Sequence, residues 1–330
     1  MRKKIPLQVN LEASSVCNLR CKYCPAWTGH ANARLMEPDL FISIIDRVVA
    51  EGFDTTIVPY LNGEALLHPK YYELIKYVVD RNLRVYFTTN GTIWNERLFQ
   101  LITQPNSVYE IIFSVDGLWD YKSRSIELAR PGSRRDLIRQ NIQKFIYLNN
   151  SRNNGKNLDT CVKICHRGQD FEEIENYISY WLEYGIDFVC VGQTLLHLNE
   201  KSMRIYPCQY SDSNFMVIKS DGRVVLCPYN DDATNNPDFA MGSVLNDTPL
   251  LDIFNNEKFM EYREDQQNGI FHPPCDTCSF AYTGTGYRGE VKFRNPALTQ
   301  KKIYFSQDFY NSFYSYKEQA KPNSYYGYKE

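Results

Sequence analysis

Along the first 195 residues, short β-rich apolar runs alternate with longer amphipathic stretches. The runs LQVNLEA (7–13), TTIVPYLN (55–62), RVYFTTN (84–90), EIIFSVDG (110–117), TCVKICH (160–166) and DFVCVGQ (187–193) predict six strands. The clearest helix between them is DFEEIENYISYWLEYG (170–185). There Ile174, Tyr177, Ile178, Trp181 and Leu182 fall at i, i+3, i+4, i+7 and i+8 and make one apolar stripe. Asp170 with Glu173 three residues on fits a capping box, and Gly185 is a natural C′ stop.

Strand and helix in alternation, six strands in all, predict an α/β fold with a parallel sheet and helices outside. The sheet is either doubly wound or bent into a barrel-like arc. In both cases chemistry belongs at the C-terminal ends of the strands. The polar, Gly-containing punctuation falls there: SSVCNLRC after the first strand, NGE after the second, TNG after the third and VDG after the fourth. Past residue 200 the rhythm stops. NFMVIKS (214–220) and RVVLC (223–227) flank Asp221-Gly222, a hairpin signal, and one short helix is expected near TPLLDIFNNEKFMEY (248–262). The expected organisation is a domain over 1–200, a small second domain over 201–285 and an aromatic-rich extension over 286–330. The Tyr- and Phe-rich chain from about 281 is expected to pack against the arc, with a substrate-gating lid as the alternative.

Composition changes the picture in one respect. With 43% hydrophobic and 23% charged residues in 330, the chain reads as an ordinary globular protein. A formal net charge of −2 gives no argument for nucleic acid or an anionic membrane. No apolar run approaches the ~18–20 residues of a membrane span. The opening MRKKIPLQVN lacks the apolar core of an export signal, so a cytoplasmic chain is expected. Ten cysteines in a reducing compartment then read as metal ligands or redox groups, with buried core thiols as the alternative.

Two groups of cysteines stand out. CNLRCKYC (17–24) spaces Cys17, Cys21 and Cys24 as C-x3-C-x2-C, one ligand short of a closed tetrahedral or cubane site. The missing ligand comes either from elsewhere in the chain, as in a structural zinc site, or from something that is not protein. The spacing differs from the bacterial ferredoxin run and from the C-x2-C pairs of zinc fingers. The second group, Cys208, Cys227, Cys275 and Cys278, has four thiols, enough to close a cubane or to satisfy tetrahedral zinc. His68, His166, His197 and His272 show no ligand spacing with one another, and no metal is assigned to them.

With Tyr23 at its aromatic place, the first group resembles the C-x3-C-x-aromatic-C signature of the radical S-adenosylmethionine (radical SAM) superfamily. The resemblance implies a partial (β/α)6 TIM-like barrel and a [4Fe-4S] cluster whose open iron is chelated by the methionine moiety of S-adenosylmethionine. Asn62-Gly63-Glu64 stands where relatives carry Gly-Gly-Glu-Pro, which binds the methionine amino group; Gly63 and Glu64 match, Asn62 and Ala65 depart. By the same resemblance Asn90 and Ser114 meet ribose or carboxylate. Asp116 shares that position or caps a turn. Arg130 is either a solvated surface residue or pairs with the carboxylate, since a guanidinium suits bidentate pairing. The second cysteine group looks like the auxiliary-cluster region of the SPASM/twitch subgroup. No cysteine follows Cys278, so it resembles the shorter twitch form with one auxiliary [4Fe-4S] cluster.

The resemblance implies reductive cleavage of S-adenosylmethionine to a 5′-deoxyadenosyl radical, which abstracts hydrogen from a substrate carbon. A flavodoxin- or ferredoxin-type reductant is the implied partner, and an all-thiolate auxiliary cluster suits electron transfer. The expected reaction is redox modification, dehydrogenation or deoxygenation, of a small hydroxylated metabolite such as a sugar or aminocyclitol. The alternative is a ribosomal-peptide maturase, an epimerase or crosslinking enzyme acting on a short peptide. The first strand begins by about residue 7, which leaves no leader-binding domain ahead of it and weakens that reading. A non-catalytic iron–sulfur electron carrier is the remote alternative. Of the three remaining cysteines, Cys161 and Cys190 read as core thiols. Cys165, nearest a strand's C-terminal end, is either a third core thiol or a hydrogen-atom donor to a substrate radical.

Overall fold

Six parallel strands lie side by side in chain order: β1 (Gln8–Leu11), β2 (Thr56–Val58), β3 (Arg84–Thr89), β4 (Glu110–Ser114), β5 (Asp159–His166) and β6 (Phe188–Gln193). They are the six that the sequence predicts. A helix follows each of the first five: α1 (Pro38–Ala50), α2 (Tyr71–Val79), α3 (Glu96–Ile102), α4 (Arg135–Asn150) and α5 (Phe171–Glu183). The computed structural model describes residues 5–21, 24, 33–105, 110–116, 134–151, 158–166, 171–193, 215–227, 240–272, 275–276, 287–289 and 302–305.

The two faces of the arc differ in chemistry because side chains alternate along a strand. Val85, Phe87, Ile111, Phe113, Val162, Ile164, Val189 and Val191 point outward into one apolar core, shared with the helix stripes. In α5 the expected stripe is all buried, with Trp181 wholly enclosed. The helix stops as expected: Gly185 takes φ +103° and the Ile186 N–H reaches back to the Trp181 carbonyl at 3.1 Å, a Schellman-type closure. Its expected capping residue, Asp170, lies outside the described residues. On the inner face the register sets Thr88, Ile112 and Cys161 in one row and Ser114, Lys163 and Cys190 in the next. That face carries polar groups and cysteines where the outer one is wholly apolar.

Past β6 the sheet continues. β7 (Phe215–Ile218) pairs parallel with β1, and β8 (Arg223–Val225) and β9 (Ala240–Ser243) extend it antiparallel. The predicted hairpin is therefore β7–β8. At the other edge, β11 (Lys302–Phe305) pairs parallel with β6, and β10 (Tyr287–Gly289) pairs with β11. The single order is β10-β11-β6-β5-β4-β3-β2-β1-β7-β8-β9.

The one short helix expected over 248–262 is two, α6 (Leu250–Phe254) and α7 (Glu257–Gln267). Asn256 divides them because its side chain accepts the Phe259 N–H at 2.9 Å and so caps α7. The C-terminal end of α1 holds this region to the barrel. The Glu51 carboxylate accepts the N–H groups of Leu250 and Leu251 at 2.7 and 2.8 Å, and the Arg47 guanidinium donates to the carbonyls of Val244 and Thr248. A buried ion pair adds a second tie. Lys219 meets Glu12 at 2.7 Å, while the N–H and hydroxyl of Ser220 both reach the other Glu12 oxygen at 3.1 Å. Among the described residues no helix is long and apolar enough to cross a membrane.

Candidate active site at the mouth of the barrel

The cysteine loop leaves β1 on a braced stem. Ser15 donates its N–H to the Arg34 carbonyl at 2.9 Å and Met36 donates to the Ala13 carbonyl at 3.0 Å. On the other side of the stem sits Gly63, at φ +83°. A Cβ there would lie 2.6 Å from the Ser14 carbonyl oxygen and 2.7 Å from the Val16 carbonyl oxygen. Only glycine permits so close an approach. The next residue, Glu64, then donates its N–H to the Val16 carbonyl at 2.8 Å.

The Glu64 side chain, 2% exposed, is held on both oxygens. Thr89 Oγ1 donates to Oε1 at 2.9 Å, the Asn90 N–H to Oε2 at 2.7 Å and the Leu66 N–H to Oε1 at 3.3 Å. Second-strand loop, third-strand end and cysteine-loop stem are thereby one hydrogen-bonded unit. Within the loop, the Leu19 N–H points at Cys17 Sγ at 3.4 Å and the Cys24 N–H at the Cys21 carbonyl at 3.0 Å. The Cys17 thiol is pushed up to about 11, chiefly by burial; Glu64, Cys21 and Cys24 add to this and the Leu19 N–H opposes it. Sulfur so placed loses its proton readily only when a positive centre is there to bind the thiolate.

That is the fit expected of an iron–sulfur cluster. The donor set is three thiols on one loop, facing a fixed carboxylate. A cubane takes one cysteine per iron, so it does not ask three sulfurs to meet on a single ion. Among the described residues, no three His, Cys, Asp or Glu side chains do meet that closely.

The other expected site residues divide. Asn90 lies at the end of β3, but its amide is turned toward Asn18 and Thr92. Ser114 ends β4 in register with Lys163. The Asp116 carboxylate accepts the Cys165 N–H at 3.1 Å and joins the ends of β4 and β5. Cys227 stands two residues past the end of β8, and Cys275 is buried in the apolar core. Tyr23, Arg130, Cys208 and Cys278 lie outside the described residues, as does His197. His68 spends both ring nitrogens internally, on the Met36 carbonyl and the Lys70 N–H, and His272 pairs with Asp265 at 2.6 Å.

Sequence reasoning misses Thr89, Asn18 and Thr92, each of which bonds a partner 25 or more positions away. It also misses the polar inner wall. There Tyr86, Glu110, Cys161, Lys163 and Cys190 act on one another electrostatically. Burial raises the Cys161 and Cys190 thiols; Glu110 adds to this and Lys163 opposes it. Burial likewise raises the Tyr86 phenol, with Tyr60 and Glu110 adding. All three stay protonated at neutral pH.

A parallel barrel arc, with a three-cysteine loop after its first strand and an appended hairpin bearing a further cysteine, defines a cluster-bearing enzyme class. Family models for the Radical SAM superfamily and for the SPASM iron-sulfur cluster-binding domain match residues 11–146 and 208–279. The chain belongs to the radical SAM superfamily, in its SPASM/twitch subgroup. As such it binds S-adenosylmethionine and a [4Fe-4S] cluster, with auxiliary iron–sulfur binding in the SPASM region.

Among curated relatives, the "tungsten-containing aldehyde ferredoxin oxidoreductase cofactor-modifying protein" of Pyrococcus furiosus is 22% identical, over 82% of this chain and 86% of its own length. Streptococcus suis SuiB bound to its precursor peptide SuiA superposes with a TM-score of 0.58 at 14% identity, over 84% of this chain and 70% of that one. BtrN in complex with AdoMet and 2-DOIA does so at 0.52 and 17% identity, over 84% of this chain and 94% of that one. At such identities the two structures share the fold.

Proposed function

We propose that this radical SAM enzyme carries out redox modification, dehydrogenation or deoxygenation, of a small hydroxylated metabolite such as a sugar or aminocyclitol. Cys17, Cys21 and Cys24 hold the catalytic cluster in this reading. Cys208, Cys227, Cys275 and Cys278 hold one auxiliary [4Fe-4S] cluster, and a flavodoxin- or ferredoxin-type protein is the reductant. Residues 1–200 form the barrel, 201–285 the auxiliary unit and 286–330 an extension. When bound, S-adenosylmethionine would supply the 5′-deoxyadenosyl radical for hydrogen abstraction from a substrate carbon. The chain's own residues orient and enclose. Gly63 and Glu64, with Tyr23, Asn90, Ser114 and Arg130, surround the cofactor, and the β-strand ends shut out water.

The observation that carries the reading is the unit built from the cysteine-loop stem, Gly63–Glu64 and Thr89–Asn90. Two further points support the small-molecule substrate. The inner wall offers hydroxyl, carboxylate, ammonium and thiol groups on neighbouring strands, the means to grip a compact polar ligand. BtrN, whose solved complex holds 2-DOIA, is matched over 94% of its length. The test is to quantify 5′-deoxyadenosine and product, under dithionite, across a panel of sugars and aminocyclitols. Wild-type protein that releases no 5′-deoxyadenosine with or without substrate would sink the reading. The fold likeness to SuiB with its bound precursor favours a second reading, peptide maturation. A modified precursor peptide, with every metabolite unturned, would select it.

A further inference from the structure

The segment between Cys17 and Cys21 is tied at a second point, by three side chains of which the sequence marks only Asn90. Asn18 Nδ2 donates to Thr92 Oγ1 at 2.8 Å, Thr92 Oγ1 donates to Asn90 Oδ1 at 2.6 Å, and Asn90 Nδ2 donates to Asn18 Oδ1 at 3.0 Å. Each of the three donates once and accepts once, so the bonds close a ring. The Thr92 N–H adds a further bond to Asn90 Oδ1 at 2.9 Å.

The two sides of this ring are unequally fixed. On the β3 side Asn90 is 7% exposed and its own N–H grips Glu64; the neighbouring Gly91 carbonyl is held at 2.9 Å by Asn141 of α4, itself 3% exposed. On the loop side Asn18 is exposed, and the neighbouring bonds are local, such as Arg20 Nη1 to the Cys17 carbonyl at 2.8 Å. The buried β3 side thus holds the exposed Asn18 of the loop through its side-chain amide. The same residue, Asn90, contacts the Glu64 carboxylate with its backbone and the cysteine loop with its side chain.

We propose that Asn18 and Thr92 are positioning residues: the ring fixes the Cys17–Cys21 segment against Glu64, so that iron-binding sulfurs and carboxylate keep one register toward the nucleotide. The cofactor part of this inference rests on the radical SAM reading. The mechanical part does not.

Thr92→Val removes the hydroxyl and keeps the shape, whereas Thr92→Ser keeps the hydroxyl. Amide hydrogen exchange is followed in the full-length chain as isolated, and 5′-deoxyadenosine release is followed after reconstitution with iron and sulfide under dithionite. Loss of ring bonds worth about 1 kcal/mol raises local opening roughly fivefold. Thr92→Val is therefore expected to exchange roughly fivefold faster over residues 17–21, with peptides of α5 unchanged. It should also raise KM for S-adenosylmethionine more than it lowers kcat, and Thr92→Ser should restore both. Unchanged exchange over 17–21, a rise spread over the whole fold, or a serine variant that behaves like valine would each overturn the proposal. Because exchange needs neither iron nor nucleotide, it reports on the ring even if the wild type releases no 5′-deoxyadenosine. Release with unchanged exchange sinks the ring alone.

Discussion

At Gly63 a side chain would meet the backbone of Ser14, Ser15 and Val16 all within 2.7 Å, and φ +83° would strain it in addition. Gly63→Ala is expected to displace the cysteine-loop stem at a cost of about 1–3 kcal/mol. The melting temperature should fall and iron bound per chain after reconstitution should drop; neither changes if the stem yields without penalty. At Cys165 the thiol lies on the inner face, its backbone fixed by Asp116. If it donates hydrogen to a substrate radical, Cys165→Ala alters product yield or stereochemistry while 5′-deoxyadenosine is still released; identical product would end that role. Gly63 and Glu64 are legible in the sequence because a tripeptide carries them. Thr89, Asn18 and Thr92 are not: a hydrogen bond across 25, 72 or 74 positions leaves no local pattern.

Strands and helices are legible where burial imposes a period. The α5 stripe is one case, since one side of a 3.6-residue repeat must meet the sheet. The split of α6 from α7 turns on one capping asparagine in a stretch whose polarity hides any stripe. The pairing of β7 with β1 is also invisible in sequence, because parallel neighbours share no turn. Its signature in the structure is the Glu12–Lys219 pair, 1% and 8% exposed at the side chains and 207 positions apart. Lys219→Met leaves the Glu12 charge buried and is expected to cost about 3–5 kcal/mol in urea unfolding. The double variant Glu12→Gln with Lys219→Met should recover part of that loss. If the single change leaves the unfolding midpoint where it was, the pair does not hold the hairpin to the barrel.

For the molecule as a whole, the proposed function gives the two cysteine groups separable tasks. Cys21→Ala is expected to abolish release of 5′-deoxyadenosine. Cys227→Ala should lower bound iron by one cluster and stop product formation while 5′-deoxyadenosine still appears. Parallel loss of both in Cys227→Ala would mean that the groups do not act separately. The sheet order has a consequence of its own. An open arc of six strands would present β1 and β6 as bare edges, yet β1 is covered by β7 and β6 by β11. Among the described residues, β9 and β10 end the sheet. An incoming polypeptide that bound by strand addition would find its template there, several strands from the cysteine loop. Whatever enters the arc itself therefore meets, among the described residues, no bare strand edge to extend, and is held by side chains and strand ends instead.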